Sequence, residues 1–446
     1  MKVAMLAMSG LRAYDPELTR LGMTLPGFVE RSKAIASLPS LGLLTLAGMT
    51  PEHIDLEYFE VPDVEALDPL PECDLAAIST FTMQAKEAYA LSERFRAQGT
   101  TTVIGGLHAT LLPDEAQQHC DVVVVGEGEL SWPRLLEDFE AGHVQSRYTA
   151  EGREFDLADA PMPRYDLLEP ERYNRLTVQT QRGCPWHCDF CASSIVLTPL
   201  YKKKPVEKVI AEIRAIKEVW DRPYIEFADD NTFVDKAHGK ELMRALAAEG
   251  VKWFAETDVS VADDPELLGL MRDAGCAQVL IGLESPTAGG LEGVELKRNW
   301  KRSRFDDYQA AIERIQSHGI AVNACFVLGM DGDTPELFDN VRTFVEESGV
   351  EQVQITVLTA FPATPLYERL QREGRLIEEG AWERCTLFDV NIVPKQMTSA
   401  ELRDGFINLG RDLYSDEAKK RRDSAFRDQL RHSTEWHRHP ERVQSE

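Results

Sequence analysis

The fold is decided by a short run in the middle of the chain that places three cysteines within eight residues. The run is Gln181-Arg182-Gly183-Cys184-Pro185-Trp186-His187-Cys188-Asp189-Phe190-Cys191. A predicted strand, 176–181, comes directly before it, so the thiols lie in a loop at the carboxyl end of a strand. The other five cysteines stand among apolar residues and are interpreted as small core side chains. Three clustered thiols in a loop contribute little to packing, so the run predicts a metal site.

Two kinds of metal centre are compatible with these thiols. Structural zinc takes four ligands, and His187 would complete a Cys₃His set. An iron–sulfur cube also takes thiolates, and three of them leave one iron without a protein ligand. The crowded spacing of Cys184, His187 and Cys188 disfavours zinc, as does the absence of a second Cys-x-x-Cys pair from the sequence. The run therefore favours the cube, whose open iron can bind a substrate or cofactor.

Outward from this run, residues 176–375 alternate between strand and helix patterns. Apolar runs of strand length are Tyr224–Phe227, Trp253–Glu256, Gln278–Glu284, Val322–Leu328 and Val353–Thr359. Amphipathic segments such as Val206–Trp220 separate them. About six such units predict a partial parallel (β/α)6 barrel with its functional residues after the strand ends. The candidates at the barrel mouth are Glu256, Asp258, Cys325 and Tyr367.

The first 145 residues alternate in the same way and predict a separate Rossmann-like, doubly wound parallel sheet. Two of its strands end in glycine-rich turns, Gly105-Gly106 and Gly126-Glu127-Gly128-Glu129. Glycine lets a ligand approach the backbone closely, and ligands of such sheets lie beyond the carboxyl ends of the strands. The division predicted from these patterns is a sheet domain at 1–145, a charged connector at 146–175, a barrel at 176–375 and a helical region with a loose tail at 376–446.

The cysteine run resembles the signature of the radical S-adenosylmethionine (SAM) superfamily. Cys-x-x-x-Cys-x-x-Cys follows a strand, Phe190 precedes the third cysteine, and Arg182-Gly183 precedes the first. The resemblance implies that Cys184, Cys188 and Cys191 hold a [4Fe-4S] cluster and that Phe190 lies beside the adenine of SAM. In that family the open iron binds SAM, and one electron from the reduced cluster cleaves SAM to a 5′-deoxyadenosyl radical.

Two further segments are similar to SAM-contacting strands of the same family. Gly282-Leu283-Glu284-Ser285 resembles the strand whose carboxylate contacts SAM, which implies Glu284 and Ser285 as SAM contacts. Asp229-Asp230-Asn231 resembles the acidic end of the second barrel strand near the methionyl group, which implies Asp229. Each also has a structural interpretation, as a solvated strand end or as an N-cap or Asx turn.

The N-terminal half is similar to the cobalamin-binding domain of B12-type radical SAM proteins. The resemblance rests on the turn from Gly105 to Thr110 and on Val125 to Glu129. It implies corrinoid contacts at Gly105, Gly106, His108, Gly126, Glu127, Gly128 and Glu129. The sequence contains no Asp-x-His-x-x-Gly motif, so His108 is interpreted as a loop-shaping or phosphate-edge residue rather than a cobalt ligand. A vestigial domain without a corrinoid remains the alternative.

Composition narrows the possible partners. The chain has 446 residues, with 49 Lys and Arg against 75 Asp and Glu, a net charge of −26. Nucleic acids and anionic membranes are bound by clustered cations, so both are disfavoured. No run approaches the roughly 20 apolar residues that span a bilayer, and the apolar start of the chain is better interpreted as a buried strand than as an export signal. These features predict a cytoplasmic protein.

Together the patterns predict a cobalamin-binding radical SAM enzyme acting on a small-molecule or lipid substrate. Its cofactors would be a [4Fe-4S] cluster, SAM and cobalamin, and its reductant a partner such as flavodoxin or ferredoxin. Carbon methylation is one reaction open to it. The alternatives are radical cyclisation, rearrangement or carbon–carbon bond formation without methyl transfer. A non-catalytic iron–sulfur or corrinoid carrier is a further alternative.

Overall fold

Two six-stranded parallel sheets and a helical C-terminal region make up the computed structural model, which describes residues 1–10, 13–20, 38–150, 152–193 and 200–437. The strands are β1 Lys2–Met8, β2 Asp55–Val61, β3 Leu75–Ser79, β4 Thr101–Gly105, β5 Val122–Val125, β6 Arg147–Thr149, β7 Leu176–Val178, β8 Gln181–Arg182, β9 Lys202–Lys203, β10 Tyr224–Phe227, β11 Lys252–Thr257, β12 Cys276–Glu284, β13 Ala321–Leu328 and β14 Gln352–Val357. The helices are α1 Pro16–Arg20, α2 Leu41–Met49, α3 Ala85–Ala97, α4 Leu107–Leu111, α5 Pro113–Ala116, α6 Gly128–Glu140, α7 Val206–Val219, α8 Lys236–Leu246, α9 Pro265–Asp273, α10 Trp300–Arg304, α11 Tyr308–Gln316, α12 Leu337–Ser348, α13 Pro365–Arg372, α14 Ser399–Leu413, α15 Asp416–His432 and α16 Thr434–His437.

The N-terminal sheet has the strand order β2-β1-β3-β4-β5-β6, with all strands parallel. β1 lies inside the sheet, and every residue of Val3–Met8 is buried. Ala4 and Leu6 pack in the core that contains α3, whereas Val3 and Met5 pack in the core that contains α2 and α6. A parallel strand covered on both faces needs a continuous apolar run. The predicted doubly wound sheet is confirmed.

The second sheet has the order β7-β10-β11-β12-β13-β14, so strands that follow one another in sequence are neighbours. One face packs against the surrounding helices through residues such as Val322, Ala324 and Phe326. Because side chains alternate along a strand, Asn323 and Cys325 point to the opposite, inner face. Six parallel strands with edge strands β7 and β14 confirm the predicted partial (β/α)6 barrel.

Two short elements differ from the sequence prediction. Residues 147–149, assigned to the connector, form β6 and pair with β5, because Tyr148 is buried in the N-terminal core. The strand predicted over 176–181 divides into β7 and β8, and β8 pairs antiparallel with β9. That two-stranded ribbon closes the base of the cysteine loop. Short, charged strands such as β9, Lys202–Lys203, carry no apolar period for a sequence pattern to detect.

The C-terminal region packs against the outside of the barrel. α14 begins with a capping box between Thr398 and Glu401 and buries Leu402 and Phe406 in the barrel's helix-side core. α15 follows with only Ala418 buried. The loose tail predicted at the end of the chain falls largely in 438–446, outside the described residues. Among the helices that are described, none is both long and apolar enough to cross a membrane.

Candidate functional site

The three cysteines of the run lie together between β8 and β9. Cys188 is buried, Cys184 and Cys191 are half-buried, and all three are free thiols. Burial, with smaller contributions from the charges of Asp230 and Cys191, raises the pKa of Cys184 to about 11. The pKa of Cys188 is also raised by burial and by the other two thiols. A cationic metal group bound by the three cysteines would offset these shifts and favour the thiolate form.

His187, the fourth ligand in the zinc alternative, points away from this group. Its Nδ1 lies 3.0 Å from the carbonyl oxygen of Pro185 and its Nε2 lies 2.8 Å from Nζ of Lys297. Over the described parts of the chain, no three His, Cys, Asp or Glu side chains converge on a position for a single ion. The donor set is therefore three thiols without the histidine, which fits an iron–sulfur cube with one open iron.

Asp229, predicted as a SAM contact, anchors the strand that leads into the cysteine loop. It is buried and accepts hydrogen bonds from the Thr180 and Gln181 backbone N–H groups at 2.8 and 3.0 Å and from the Thr180 hydroxyl at 2.6 Å. Burial raises its pKa to about 6, while these hydrogen bonds lower it. Its oxygens are thus used inside the protein, and the structure brings Asp229 near the loop as a support.

Asn231, Asp258 and Trp186 surround the first cysteine. Asn231 Nδ2 lies 3.9 Å from Sγ of Cys184 and donates to Oδ2 of Asp258 at 2.8 Å. The indole N–H of Trp186 donates to the same Asp258 oxygen at 2.9 Å. Sequence reasoning named Asp258 only as a barrel-mouth candidate and assigned Asn231 and Trp186 no contact with the cysteine. The signal available was that Asn231 and Asp258 each follow a strand end, and parallel strand ends meet at one edge.

Glu284 ends β12 in a left-handed backbone conformation with φ 66° and is buried. Its Oε1 accepts from Nζ of Lys301 at 2.6 Å, and Lys301 also donates to the Gly282 carbonyl at 2.9 Å. Burial alone would lower the pKa of Lys301, but the Glu284 carboxylate raises it above its usual value. Non-glycine residues with positive φ are costly and cluster at functional sites. Lys301 was missed because no pattern links it to β12.

Ser285 is fully buried next to Glu284, within 3.3 Å of the Thr287 hydroxyl. Phe190 is half-buried and packs against an apolar cluster that includes Val294, Met330 and Leu366. Both therefore lie near the carboxyl ends of the barrel strands. Their contacts with SAM stay predictions.

The inner face of the barrel is polar. Glu256 lies in register with Leu280 of the neighbouring strand, and Leu280 with Asn323 of the next. Burial, together with the nearby carboxylates of Glu226 and Asp230, raises the pKa of Glu256 to about 8. Of the other mouth candidates, Cys325 is buried, and Tyr367 lies near Trp382 with ring centroids 6.0 Å apart.

A cavity of about 340 Å³ lies at the carboxyl end of the N-terminal sheet. The sheet side contributes the predicted glycines, Gly105, Gly106, Gly126 and Gly128, together with Glu127 and Glu129. The barrel side contributes Gln181, Arg182, Ser193, Ala228 and Asp230. The volume is that of a small-ligand site, so a corrinoid would place only part of itself there. The cavity is shared by the two sheets.

His108 does not line this cavity, contrary to the prediction that grouped it with the corrinoid contacts. It is fully buried in α4, with Nε2 3.2 Å from Oε1 of Glu115 and its ring packed against Trp382. The Trp382 indole donates to the same Glu115 carboxylate at 2.9 Å. Burial lowers the pKa of His108. The residue connects the N-terminal sheet to the C-terminal region.

Glu127 and Glu129, which end the glycine-rich turn, are held by cations from the cysteine-loop ribbon. Arg182 donates to Glu127 at 2.9 Å and also pairs with Glu129, while Lys202 donates to Glu127 at 2.9 Å. Burial alone would raise the pKa of Glu127, but the Phe155 backbone N–H and Lys202 lower it below its usual value. Arg182 stands two residues before Cys184, so one guanidinium joins the two strand edges.

Comparison with known proteins agrees with this architecture. Residues 178–345 match the radical SAM superfamily, and residues 364–445 match a domain of unknown function, DUF4070. The chain is 29% identical over 396 residues to the bacteriochlorophyllide d C-12(1)-methyltransferase of Chlorobaculum tepidum, covering 86% of this chain and 84% of that protein. It is 30% identical over 375 residues to an uncharacterized methyltransferase of Synechocystis, covering 80% and 67%.

A solved structure shares the fold over nearly the whole chain. It is the radical SAM methyltransferase TsrM from Kitasatospora setae with cobalamin and a [4Fe-4S] cluster bound. The TM-score is 0.66 at 15% identity, covering 96% of this chain and 99% of that one.

Proposed function

The chain belongs to the radical SAM superfamily, among relatives that are methyltransferases, and on that premise we infer that it methylates carbon with the help of a corrinoid. Cys184, Cys188 and Cys191 would hold the [4Fe-4S] cluster, because they form the thiol donor set in the loop after β8. The corrinoid would enter the cavity between the sheets. When bound, the cluster with SAM supplies hydrogen-atom abstraction from the substrate, and the corrinoid supplies the methyl group.

One observation carries the proposal: the cavity is lined by both sheets. Gly105, Gly106 and Gly126 form one wall, and Arg182 and Asp230 on the cysteine-loop side form the other. A ligand bound to the N-terminal sheet therefore faces the loop that holds the thiols. A vestigial domain that binds no corrinoid would not require a cavity lined by both sheets. This arrangement supports methyl transfer over radical chemistry without a corrinoid.

The chain's own side chains would prepare the site for SAM. Asn231 and Trp186 hold Asp258 beside Cys184, which fixes the first thiol relative to the strand ends. Glu284 would accept hydrogen bonds from SAM, and Lys301 orients that carboxylate by donating to its Oε1 at 2.6 Å. Ser285 and Phe190 flank the same edge, consistent with the contacts that the sequence predicts.

The polar inner face of the barrel supports a substrate with hydrogen-bonding groups. Glu256, Asn323 and Gln354 alternate with core residues on three strands, and Asn323 Oδ1 has no partner among the described residues. Buried polar atoms need partners, and a substrate can supply them. A tetrapyrrole that carries O–H or N–H donors can supply the partner that this acceptor lacks, which a pure hydrocarbon cannot. We therefore propose a chlorin-type tetrapyrrole as the substrate class.

The test is anaerobic reconstitution with iron, sulfide and cobalamin, followed by turnover with SAM whose methyl group is deuterated. We expect bacteriochlorophyllide d, the substrate named for the Chlorobaculum relative, to gain a deuterated methyl group. 5′-Deoxyadenosine and S-adenosylhomocysteine should form together, because one SAM supplies the radical and another the methyl group. If 5′-deoxyadenosine formed with the chlorins tested but neither methylated product nor S-adenosylhomocysteine appeared, the proposal of methyl transfer would be wrong. The reaction would then be radical chemistry without methylation.

A further inference from the structure

A basic segment follows β12 and covers the outside of the cysteine loop. Residues 297–304 contain five cations and no carboxylate, in a chain whose net charge is −26. The cations are Lys297, Arg298, Lys301, Arg302 and Arg304. This cluster of positive charge is unusual in so acidic a protein.

The start of this segment pairs with the loop backbone. The N–H of Asp189 donates to the Val294 carbonyl at 3.0 Å, and the N–H of Leu296 donates to the His187 carbonyl at 2.9 Å. Cys188 and Glu295 form an antiparallel bridge. Trp186 of the loop stacks on Trp300, with ring centroids 4.3 Å apart. The basic segment therefore forms the outer wall of the loop that carries the three thiols.

Two of the five cations are used inside the protein. Lys301 is buried against Glu284, and Arg304 pairs with Asp263 and Asp307 at 2.8 and 2.9 Å. The other three face outward: Lys297 and Arg298 are exposed, and Arg302 is half-exposed.

Within the described residues, none of these three outward cations has an ion pair with a carboxylate. Of the two carboxylates just before the segment in the sequence, Glu295 is buried and accepts backbone N–H groups of the same segment, and Glu292 accepts from Asn299.

An apolar side chain stands beside the three outward cations, of which Lys297 contacts Nε2 of His187 at 2.8 Å. Leu296 is 53% exposed, among the most exposed large hydrophobic residues described. An exposed leucine surrounded by cations is typical of a small, transient protein–protein interface. In such interfaces, charge complementarity governs the association rate and the relative orientation of the two proteins. The feature serves no packing purpose, because the same segment is already fixed by Trp300 and Lys301.

We propose that Leu296, Lys297, Arg298 and Arg302 form the docking face for an acidic flavodoxin that reduces the iron–sulfur group. The proposal rests on the function inferred above, since only a cluster at the three cysteines requires an electron. Flavodoxins expose the apolar edge of a flavin within a ring of carboxylates, which complements this face in charge and polarity. The fully reduced flavin of the flavodoxin transfers one electron to the cluster and is thereby oxidised by one electron. No bond is formed or broken, and no proton is transferred.

The experiment compares two variants of the full chain with the same net charge. The docking variant is Lys297→Glu/Arg298→Glu/Arg302→Glu, and its control is Lys419→Glu/Lys420→Glu/Arg427→Glu on exposed positions of α15. Each reconstituted protein is assayed for 5′-deoxyadenosine with reduced flavodoxin and, separately, with dithionite. Binding of flavodoxin is measured by calorimetry at low and high salt.

We expect the docking variant to lose on the order of 10-fold or more in flavodoxin-driven rate and affinity, because steered association depends on such patches. The salt dependence of binding should decrease with it. The dithionite-driven rate should stay at the wild-type value, and the control should behave as wild type in all three measurements. An unchanged flavodoxin affinity or flavodoxin-driven rate in the docking variant would overturn the proposal. Absence of 5′-deoxyadenosine from the dithionite-driven reaction of the wild-type protein would instead contradict the proposed function.

Discussion

The two six-stranded sheets share a parallel architecture and differ in what they place at their carboxyl ends. The N-terminal sheet ends in turns rich in glycine, at Gly105, Gly106 and Gly126, so its edge offers backbone and small apolar walls. The barrel ends in thiols, carboxylates and a buried ammonium, as at Cys188 and Glu284. A large planar ligand is recognised by fit against backbone, whereas a metal group needs specific donor atoms. Two parallel sheets of different topology thus present different kinds of residue at their carboxyl ends.

The two edges meet at Arg182, which belongs to the barrel side and binds two carboxylates of the N-terminal turn. A substitution confined to one edge should therefore affect one cofactor, whereas a substitution of Arg182 should affect both.

The largest effect is expected from removing the thiols. Changing Cys184, Cys188 and Cys191 to Ala should abolish iron binding and SAM cleavage, because no other side chains in the loop are soft ligands. Cobalamin affinity, measured by absorbance titration, should change little, since the cavity keeps its glycine wall. Stoichiometric zinc with no iron in the reconstituted wild-type protein would contradict the cluster assignment.

A substitution at the other edge should show the opposite pattern. Gly126→Val should lose cobalamin while iron content and SAM cleavage persist. Gly126 has φ 81° and its Cβ would enter open space, so the side chain would occupy the cavity rather than the protein core.

Gly99→Val is the matched control, because Gly99 has φ 84° and open space but precedes β4 at the opposite end of the sheet. Both variants should lose about 1–2 kcal/mol of stability from the left-handed backbone. If both variants lost cobalamin, the role of Gly126 would be structural only. Gly106→Val should also lose cobalamin but is less informative, because its Cβ would lie 2.9 Å from the Thr80 carbonyl oxygen.

Arg182→Met should weaken both sites at once. The change leaves the carboxylate of Glu129 without its guanidinium at a largely buried position, which costs on the order of 3 kcal/mol. Urea unfolding should show the loss, and cobalamin affinity and iron content should fall together. Arg182→Met/Glu129→Gln should recover most of the stability. If only one cofactor were affected, the two edges would be independent despite the shared ion pairs.

Glu284→Ala tests the barrel edge alone. Charged hydrogen bonds contribute about 1.5–3 kcal/mol each, so SAM affinity by calorimetry should fall while iron content is kept. The single change also strands the Lys301 ammonium, so Glu284→Ala/Lys301→Met is the cleaner variant. Unchanged SAM affinity in the double variant would leave Glu284 with a structural role only.

The smallest effect concerns the polar inner face. The pKa of Glu256 is raised from its ordinary value to about 8, so its contribution to stability is complete below pH 4.5 and is lost as pH rises through 8. Glu256→Gln stays neutral, and it should be more stable than wild type at pH 8.5 by about 1–3 kcal/mol and equal to it near pH 4.5. Thermal melts across this range measure the difference. A difference independent of pH would mean that Glu256 is ionised in the folded protein.

Much of this molecule could be predicted from local patterns. The apolar run of β1 predicts a strand covered on both faces, and the alternation over 176–375 predicts the barrel. These signals are local because each element must present its own apolar face to a core. Short elements without such a face were missed: β6 was assigned to the connector, and the ribbon of β8 and β9 was not predicted.

The candidate site likewise combines features that follow from local sequence with features that depend on contacts between distant residues. The closeness of the three thiols follows from the sequence alone, because their fixed spacing in one loop keeps them near one another whatever the rest of the chain does. The sequence also determined the glycine turns, since a positive φ at Gly126 is a property of that residue type.

The partners of these residues depend on contacts between distant parts of the chain. The pairing of Lys301 with Glu284 and of Arg182 with Glu127 joins positions 17 and 55 residues apart. The burial of His108 against Trp382 and the use of Asp229 to support Thr180 likewise depend on which strands become neighbours. Hydrogen bonds and ion pairs act over a few ångströms, so a linear pattern cannot specify them until the sheet order brings distant strand ends to one edge.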